Sequence, residues 1–364
     1  MRSCNSEPVA ARWMNRFNAP VVSVLITGMI VFVSGCRRSV ESEVVLCATV
    51  DQEIAAPMMG AFYRAQEGVI TPKARFGIDA SDIDAFVDEV TGMTDGFHAD
   101  LIWSDDIFLM TELARRGVLK SHAWKTEATF PDGMKATDGT WRAMAATARV
   151  LIVNTDLLTE KAQYPRSVDD LTDVTWKGKC GIANPTRGAM AIHAGIIASQ
   201  KGNAADDWFK QVSDNAVVVK RDAEVATAVA KGTLAWGLTS SSDAVAEQDA
   251  SSPIAVVFPD QSPDKPGTVR IPNAIGIVAS AQHPVAAARL ADYLVSPTVE
   301  ERLAMSDASQ IPISPIATYT PRVLTGEIVR WSMVDFDAAA KAFDAIQPSL
   351  EKNFTLPRSE IAEQ

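Results

Sequence analysis

Short β-rich runs alternate with helical patterns almost from residue 43 to the last third of the chain, and that alternation commits it to an α/β fold. Val44-Val45-Leu46-Cys47-Ala48-Thr49 reads as a first strand. Asp51 to Ala65 follows as a helix, with Ile54, Met58 and Phe62 on one face. Thr49 and Gln52 have the spacing of a capping box at its start. Residues 99–103 form another strand, and Ile107 to Arg116 a helix that stops at Gly117. Trp141 to Asn154 is a long apolar run broken only by Arg142, Thr147 and Arg149. Beyond it the alternation resumes: strand at 180–183, helix from Ala189, strand at 234–238, and a helix opened by Ser240-Ser241-Ser242-Asp243. Ligands in open α/β sheets sit where strands end and helices begin. The strand-to-helix turns are therefore the places to look for a site.

The N-terminus carries a different kind of signal. An apolar run from Pro20 to Val33 lies behind Arg12 and Arg16 and closes on Val33-Ser34-Gly35-Cys36. A basic flank, an apolar stretch and small residues before a cut are the parts of a secretory signal. The run is shorter than the roughly 20 residues that span a bilayer. Ending on Cys, it resembles a bacterial lipoprotein signal. That resemblance implies removal of residues 1–35, acylation of Cys36 and a lipidated tether over 36–42. The body would then work in the periplasm or cell envelope, anchored to a lipid membrane.

Without residues 1–35 the chain keeps 329 residues, room for two lobes of ordinary size. The segment carries Arg2, Arg12 and Arg16 against Glu7, so its loss takes the formal charge from −11 to −13. Nucleic-acid binding needs clustered Lys and Arg, so that partner is excluded. Cys47 and Cys180 each lie in a short apolar run and read as separate buried thiols rather than a disulfide. The chain shows no CxxC and no zinc spacing.

The order of segments resembles one family. "VVLCATVDQEIAAPMMGAFYRA", "ADLIWSDDIFLMTELARRGVL", "ARVLIVNTDLL", "SVDDLTDVTWKGKCGIANPTRGAMAIHAG", "AVAKGTLAWGLTSSSDA", "AVVFPDQ" and "HPVAAARLADYLVSPTVEERLA" follow one another as in bacterial extracellular solute-binding proteins of ABC transporters. The nearest subgroup is the ferric-iron-binding one. The resemblance implies a two-lobed periplasmic-binding-protein (type II) fold with a hinge and an interlobe cleft. Lobe one would hold 43–145 plus 275–364 and lobe two 146–274, with crossings near Thr147–Val150 and Pro272–Ala274. It also implies an ABC permease and its ATPase as partners, a small-molecule or metal ligand, and a monomer with no cofactor beyond Fe3+ as cargo.

Eight residues are candidates for contact with that ligand. Thr49 and Asp51 stand ahead of the first helix, where free N–H groups favour an anion and where plain capping is the other role. Ser104 ends a strand, with Asp105 or Asp106 better suited to capping. Arg149, in an apolar strand, must find a partner if buried: either a bound carboxylate, carbonate or phosphonate, or an Asp or Glu across the hinge. Asn184 and Thr186 form a second turn, and Ser240 and Ser241 open a helix facing the cleft.

Two departures from the family pattern point to an anion. Three serines replace an expected acidic Thr-Asp-Thr-Asp-Asp stretch at 239–243. Lys220 and Arg221 stand where "GGNSEVA" is expected. No metal site can be assigned, because Tyr63, Tyr164, Tyr293 and Tyr319 include no adjacent pair and the four histidines lack ligand spacing.

Three functions of different classes compete. A capture protein for an importer needs no chemistry. An enzyme would need a catalytic motif, and G-x-S-x-G, H-E-x-x-H, the P-loop and G-x-G-x-x-G are all missing. A ligand sensor docking a receptor kinase would share the fold. Among ligands, ferric iron or a ferric–anion chelate stands first, a small organic anion second. Cys36→Ser is expected to leave the precursor unlipidated; labelling with a fatty-acid analogue checks this, and an acylated mutant would refute the lipoprotein reading.

Overall fold

The computed structural model describes residues 43–94, 97–125 and 129–354. The signal, Cys36 and the 36–42 tether lie outside the described residues. Ten strands are described: β1 Glu43–Ala48, β2 Thr71–Arg75, β3 Leu101–Ser104, β4 Leu119–Lys120, β5 Trp141–Asn154, β6 Cys180–Ala183, β7 Val217–Val219, β8 Trp236–Ser240, β9 Ile254–Val257 and β10 Arg270–Val278. The helices are α1 Gln52–Ala65, α2 Ile83–Val90, α3 Ile107–Arg115, α4 Gly188–Lys201, α5 Ala205–Asn215, α6 Asp222–Ala230, α7 Ser241–Asp249, α8 Pro284–Leu294, α9 Pro297–Met305 and α10 Phe336–Asn353. No helix among the described residues is long and apolar enough to cross a membrane.

The strands run in the order β2-β1-β3-β10-β5-β8-β6-β7, with β4 beside β10 and β9 beside β5. The path divides into two sheets that share β5. Its first half pairs antiparallel with β10, from Trp141 opposite Gly276 to Ala148 opposite Arg270. Its second half pairs with β8, from Arg149 opposite Ser240 to Val153 opposite Trp236, and with β9. The strand therefore changes partner between Ala148 and Arg149.

The long apolar run is a strand because both its faces are covered. On its second half, Leu151 and Val153 join one core with Cys180, Ile182 and Trp208. Val150 and Ile152 point the other way, into a core with Ala226, Val229 and Ala244. In the first sheet, Leu101 and Trp103 face Phe62 and Leu290, while Ile102 faces Leu109 and Leu113. Strands buried on both faces read as continuous hydrophobic runs. Each such Leu or Ile contributes about 1.5–3 kcal/mol.

A few residues ahead of the partner change the backbone is irregular. Pro272, which has no N–H to give, sits at a register shift between β10 and β5. Pro272 stands opposite Ala146, and the bulged Ala145 takes a positive φ of 48° although it carries a side chain. Ala146 exchanges both backbone hydrogen bonds with Ile311, at 2.8 and 2.7 Å. Ile311 thus pairs the peptide groups of Ala146 where Pro272, opposite it, has no N–H to give.

Several local expectations change. The Thr49–Gln52 capping box does not form: the N-cap is Asp51, without a side-chain capping bond. The Thr49 hydroxyl reaches instead to Ser104 Oγ at 3.0 Å and donates to Asp105 Oδ1 at 2.8 Å. Cys47 and Cys180 are buried free thiols, each pushed by burial to a pKa of about 12.

α10 packs on α4 and α5 as well as on α3. Helices of both sheets' layers thus hold it, whereas the sequence reading put everything after 275 with the first. Its contact with α4 depends on Gly195, where an added Cβ would meet the Ala339 carbonyl oxygen at 2.6 Å and Phe343 Cβ at 2.9 Å. Gly195→Ala gains up to about 1 kcal/mol of helix propensity. It forces two backbones apart, which typically costs about 1–3 kcal/mol. The net expectation is a destabilised protein with a lower urea midpoint; a midpoint at or above the parent's would contradict the close approach.

Candidate ligand-binding cleft

A cleft of about 1140 Å3 opens where strand ends of both sheets meet helix N-termini. The first sheet contributes Thr49, Val50 and Asp51 ahead of α1, Asp79 and Ser81 ahead of α2, and Asp105 and Asp106 ahead of α3. The second contributes Thr186 and Arg187 ahead of α4, Asp222 in the first turn of α6, and Ser240, Ser242 and Asp243 at the start of α7. Thr147, Ile271 and Asn273 of the shared strands line it between them, and α10 adds Asp337, Lys341 and Asp344.

Of the eight candidates from sequence, Thr49, Asp51, Thr186 and Ser240 are in this lining; Ser104, Arg149, Asn184 and Ser241 are not. Those outside have structural partners. Ser104 is buried, and its Oγ accepts from the Asp106 amide at 3.0 Å. Asn184 donates to the Phe354 carbonyl at 3.1 Å and accepts from the Thr186 amide and hydroxyl at 2.9 and 2.7 Å. Ser241 Oγ accepts from the amide of Ala148 at 3.0 Å, tying α7 to the point where β5 changes partner.

Arg149 is wholly buried. Its Nη1 and Nη2 grip Asp222 Oδ2 and Oδ1 at 2.6 and 3.0 Å, a bidentate pair. Of the two roles open to it, the observed partner is a carboxylate of the chain itself.

The cleft is acidic. Nine carboxylate residues line it against Arg115, Arg187 and Lys341. Some of the nine are occupied: Asp222 by Arg149, Asp106 by capping the Phe108 and Leu109 amides, Glu112 by Arg115 and Arg116. Burial raises the Asp106 carboxyl, and those capping amides oppose the shift. Asp243 is also raised by burial, against the hydroxyl of Ser240 that donates to its Oδ2 at 2.8 Å. Asp51 and Asp105 stand exposed at the mouth. Lys220 and Arg221, which the sequence reading brought near the cleft as anion donors, are absent from its lining. The Lys220 amide and Arg221 Nε both bond Glu224, at 3.0 and 3.3 Å. The serine run is likewise divided, Ser241 turning inward. Of the grounds for an anion, Lys220, Arg221 and Ser241 are thus not at the cleft, while the uncapped starts of α1 and α4 and Arg187 are.

Sequence reasoning missed Asp222, Asp243 and the α10 residues. Asp222 sits in a first helical turn, where acids are common for dipole reasons alone. Only the pairing of Arg149 with a nearby helix start could have flagged it. Among the described residues no group of three His, Cys, Asp or Glu is placed to hold a metal ion. Breaking a buried ion pair by removing one member costs about 3–5 kcal/mol. Arg149→Ala is expected to lose stability on that scale in urea titration; a variant as stable as the parent would deny the pair its structural role.

The fold has known counterparts. No curated protein sequence matches the chain. The ferric iron-binding protein A of Mannheimia haemolytica, in an open conformation, superposes with a TM-score of 0.72 at 16% identity, covering 86% of this chain and 98% of that one. The Bordetella ferric binding protein gives 0.71 at 21% identity over 85% and 98%. The Trichodesmium protein in complex with iron and citrate gives 0.71 at 17% over 86% and 100%. Such identities establish a shared two-lobed fold. The family model described as bacterial extracellular solute-binding protein matches residues 98–339. The chain belongs to that family, and is a binding protein of the ferric-binding fold type rather than an enzyme.

Proposed function

We propose that this protein captures ferric iron, bare or chelated by a small anion, and delivers it to an ABC permease and its ATPase. Cys36 tethers it to a membrane on the outer side. The lobes on this reading are 43–145 with 275 onward, and 146–274, with α10 bridging them and the hinge at the partner change of β5.

The observation that carries the proposal is the supply of hard oxygen donors on both sides of the cleft. Asp51, Asp105 and Thr49 stand on one side, and Asp243, Ser242 and Thr186 on the other. Hard cations take carboxylate and hydroxyl oxygens. A negatively charged cleft also concentrates cations and raises their rate of capture. Because no three metal-binding side chains are together among the described residues, lobe closure or the oxygens of a chelating anion complete the coordination. The relatives named for ferric iron, one solved with iron and citrate, support the same cargo.

Native mass spectrometry after exposure to ferric citrate is the test. The expected result is a retained mass of iron, alone or with citrate, and affinity at least tenfold weaker in Asp51→Asn/Asp243→Asn. The pH dependence has a definite sign. Burial raises the Asp243 carboxyl above its usual 3.8, and a protonated carboxyl does not ligate a cation. Affinity should therefore begin to fall at a higher pH than ordinary aspartates would produce, and Asp243→Asn should remove that component. Retention of an organic anion without iron would overturn the proposal.

A further inference from the structure

Three buried polar side chains form a line of hydrogen bonds that ends in the cleft: Trp103 on β3, Asn273 on β10, and Gln310 just ahead of Ile311. Trp103 is wholly buried, and Asn273 and Gln310 are 4% and 5% exposed. Trp103 Nε1 donates to Asn273 Oδ1 at 3.1 Å, and Asn273 Nδ2 donates to Gln310 Oε1 at 3.0 Å. Asn273 and Gln310 both line the cleft, as do Thr147 and Ile271 of the shared strands.

The line has only one direction. An indole N–H donates and cannot accept. The Asn273 amide must therefore give its oxygen to Trp103, which leaves its NH2 for Gln310. Gln310 must in turn give its oxygen, so its own NH2 is left at the end of the line. Reversing either amide would set donor against donor in a buried place and lose the pairing of both. Among the described residues nothing accepts from Gln310 Nε2, yet that atom is not closed off from the surface. The main chain there is held too: the Gln310 amide donates to the Leu303 carbonyl at 3.3 Å, and Ile311 exchanges both bonds with Ala146.

We propose that Gln310 recognises the ligand in the cleft: its Nε2 donates to an acceptor oxygen of the bound molecule, and Trp103 fixes that polarity through Asn273. Gln310 is the residue that touches the ligand by its free end. Asn273 and Trp103 are positioning residues, since their contribution here is to decide which end of the Gln310 amide is offered.

The inference rests on the cargo proposed above and narrows it. An amide NH2 has no lone pair to give a cation, and its positive end repels one. A bare ferric ion gains nothing from Gln310. A chelate gains a hydrogen bond if its anion keeps an oxygen free of the metal. The cleft then divides its work: the exposed Asp51 and Asp105 and the raised Asp243 offer oxygens to the metal, and Gln310 offers hydrogens to the anion.

Isothermal titration of the full chain at neutral pH, with ferric citrate and with citrate alone, tests it. Gln310→Glu keeps the oxygen that accepts from Asn273 and puts a second oxygen where the free NH2 was. It is expected to leave the urea midpoint near the parent's and to weaken ferric citrate by about tenfold or more. Asn273→Asp still accepts from Trp103 but has no donor for Gln310, whose amide can then reverse, so a similar loss is expected. The double variant should lose no more than the larger single loss, because both act on one bond. Unchanged or tighter binding of ferric citrate by Gln310→Glu would overturn the assignment and leave the iron reading standing, and additive losses would overturn the relay. Citrate bound without iron, and weakened by Gln310→Glu, would support Gln310 in its role while overturning the iron cargo. A parent that binds neither probe would overturn both.

Discussion

One continuous strand underlies everything else in this molecule. β5 runs from Trp141 to Asn154, buried except at the half-buried Thr147, and serves both sheets in turn. A few residues ahead of its change of partner the ladder with β10 is bulged, and the bulge is built from sequence. Pro272 cannot donate, Ala145 turns to positive φ, and Ile311 takes both backbone bonds of Ala146. The next residues are anchored from the side: the amide of Ala148 by Ser241, that of Arg149 by the Val269 carbonyl at 2.9 Å. The stretch is therefore irregular yet hydrogen-bonded at Ala146, Ala148 and Arg149.

The cleft follows from that junction. Because strands on both sides end toward it, helix N-termini converge there, and each brings donors needing acceptors. Ser240 and Asp106 meet this need locally: the Asp106 carboxylate takes two amides of α3, and Ser240 Oγ takes the Asp243 amide at 3.3 Å. Asp51 makes no such bond. A carboxylate at a helix start that does not cap is available to a ligand. The same logic ranks Asp105, whose Oδ1 is shared only with the Thr49 hydroxyl and which is otherwise exposed.

Much of the fold was legible because the signals were local. Ile54, Met58 and Phe62 gave α1 its face, and strict burial of Leu151 and Val153 against Val150 and Ile152 explains why Trp141–Asn154 read as one apolar run. The cleft could be located from strand-to-helix turns, and Thr49, Asp51, Thr186 and Ser240 line it. What could not be read was which side chains at those turns were already committed. Ser104, Asn184 and Ser241 bond backbone groups 2 to 170 residues away in sequence. For Asn184 and Ser241, whose partners lie 170 and 93 residues away, no local pattern encodes them. The position of α10 was hidden for the same reason: its fit against α4 rests on the absence of a side chain at Gly195.

Arg149 shows how a correct physical premise can leave the partner undetermined. A guanidinium in an apolar strand must be paired, and the sequence offered a ligand or an acid. Asp222 takes two of its nitrogens in a fork that needs no outside anion. The neutralisation acts on the cleft as well, because Asp222 is then no longer a free negative charge there. With Asp106 capping and Glu112 held by two arginines, the field in the cleft falls to Asp51, Asp79, Asp105, Asp243, Asp337 and Asp344. The third nitrogen of Arg149 is the exception to this closed system. The same residue that removes one charge from the cleft holds its Nε buried without a hydrogen-bond partner, and a fully buried guanidinium does so only at a cost in stability.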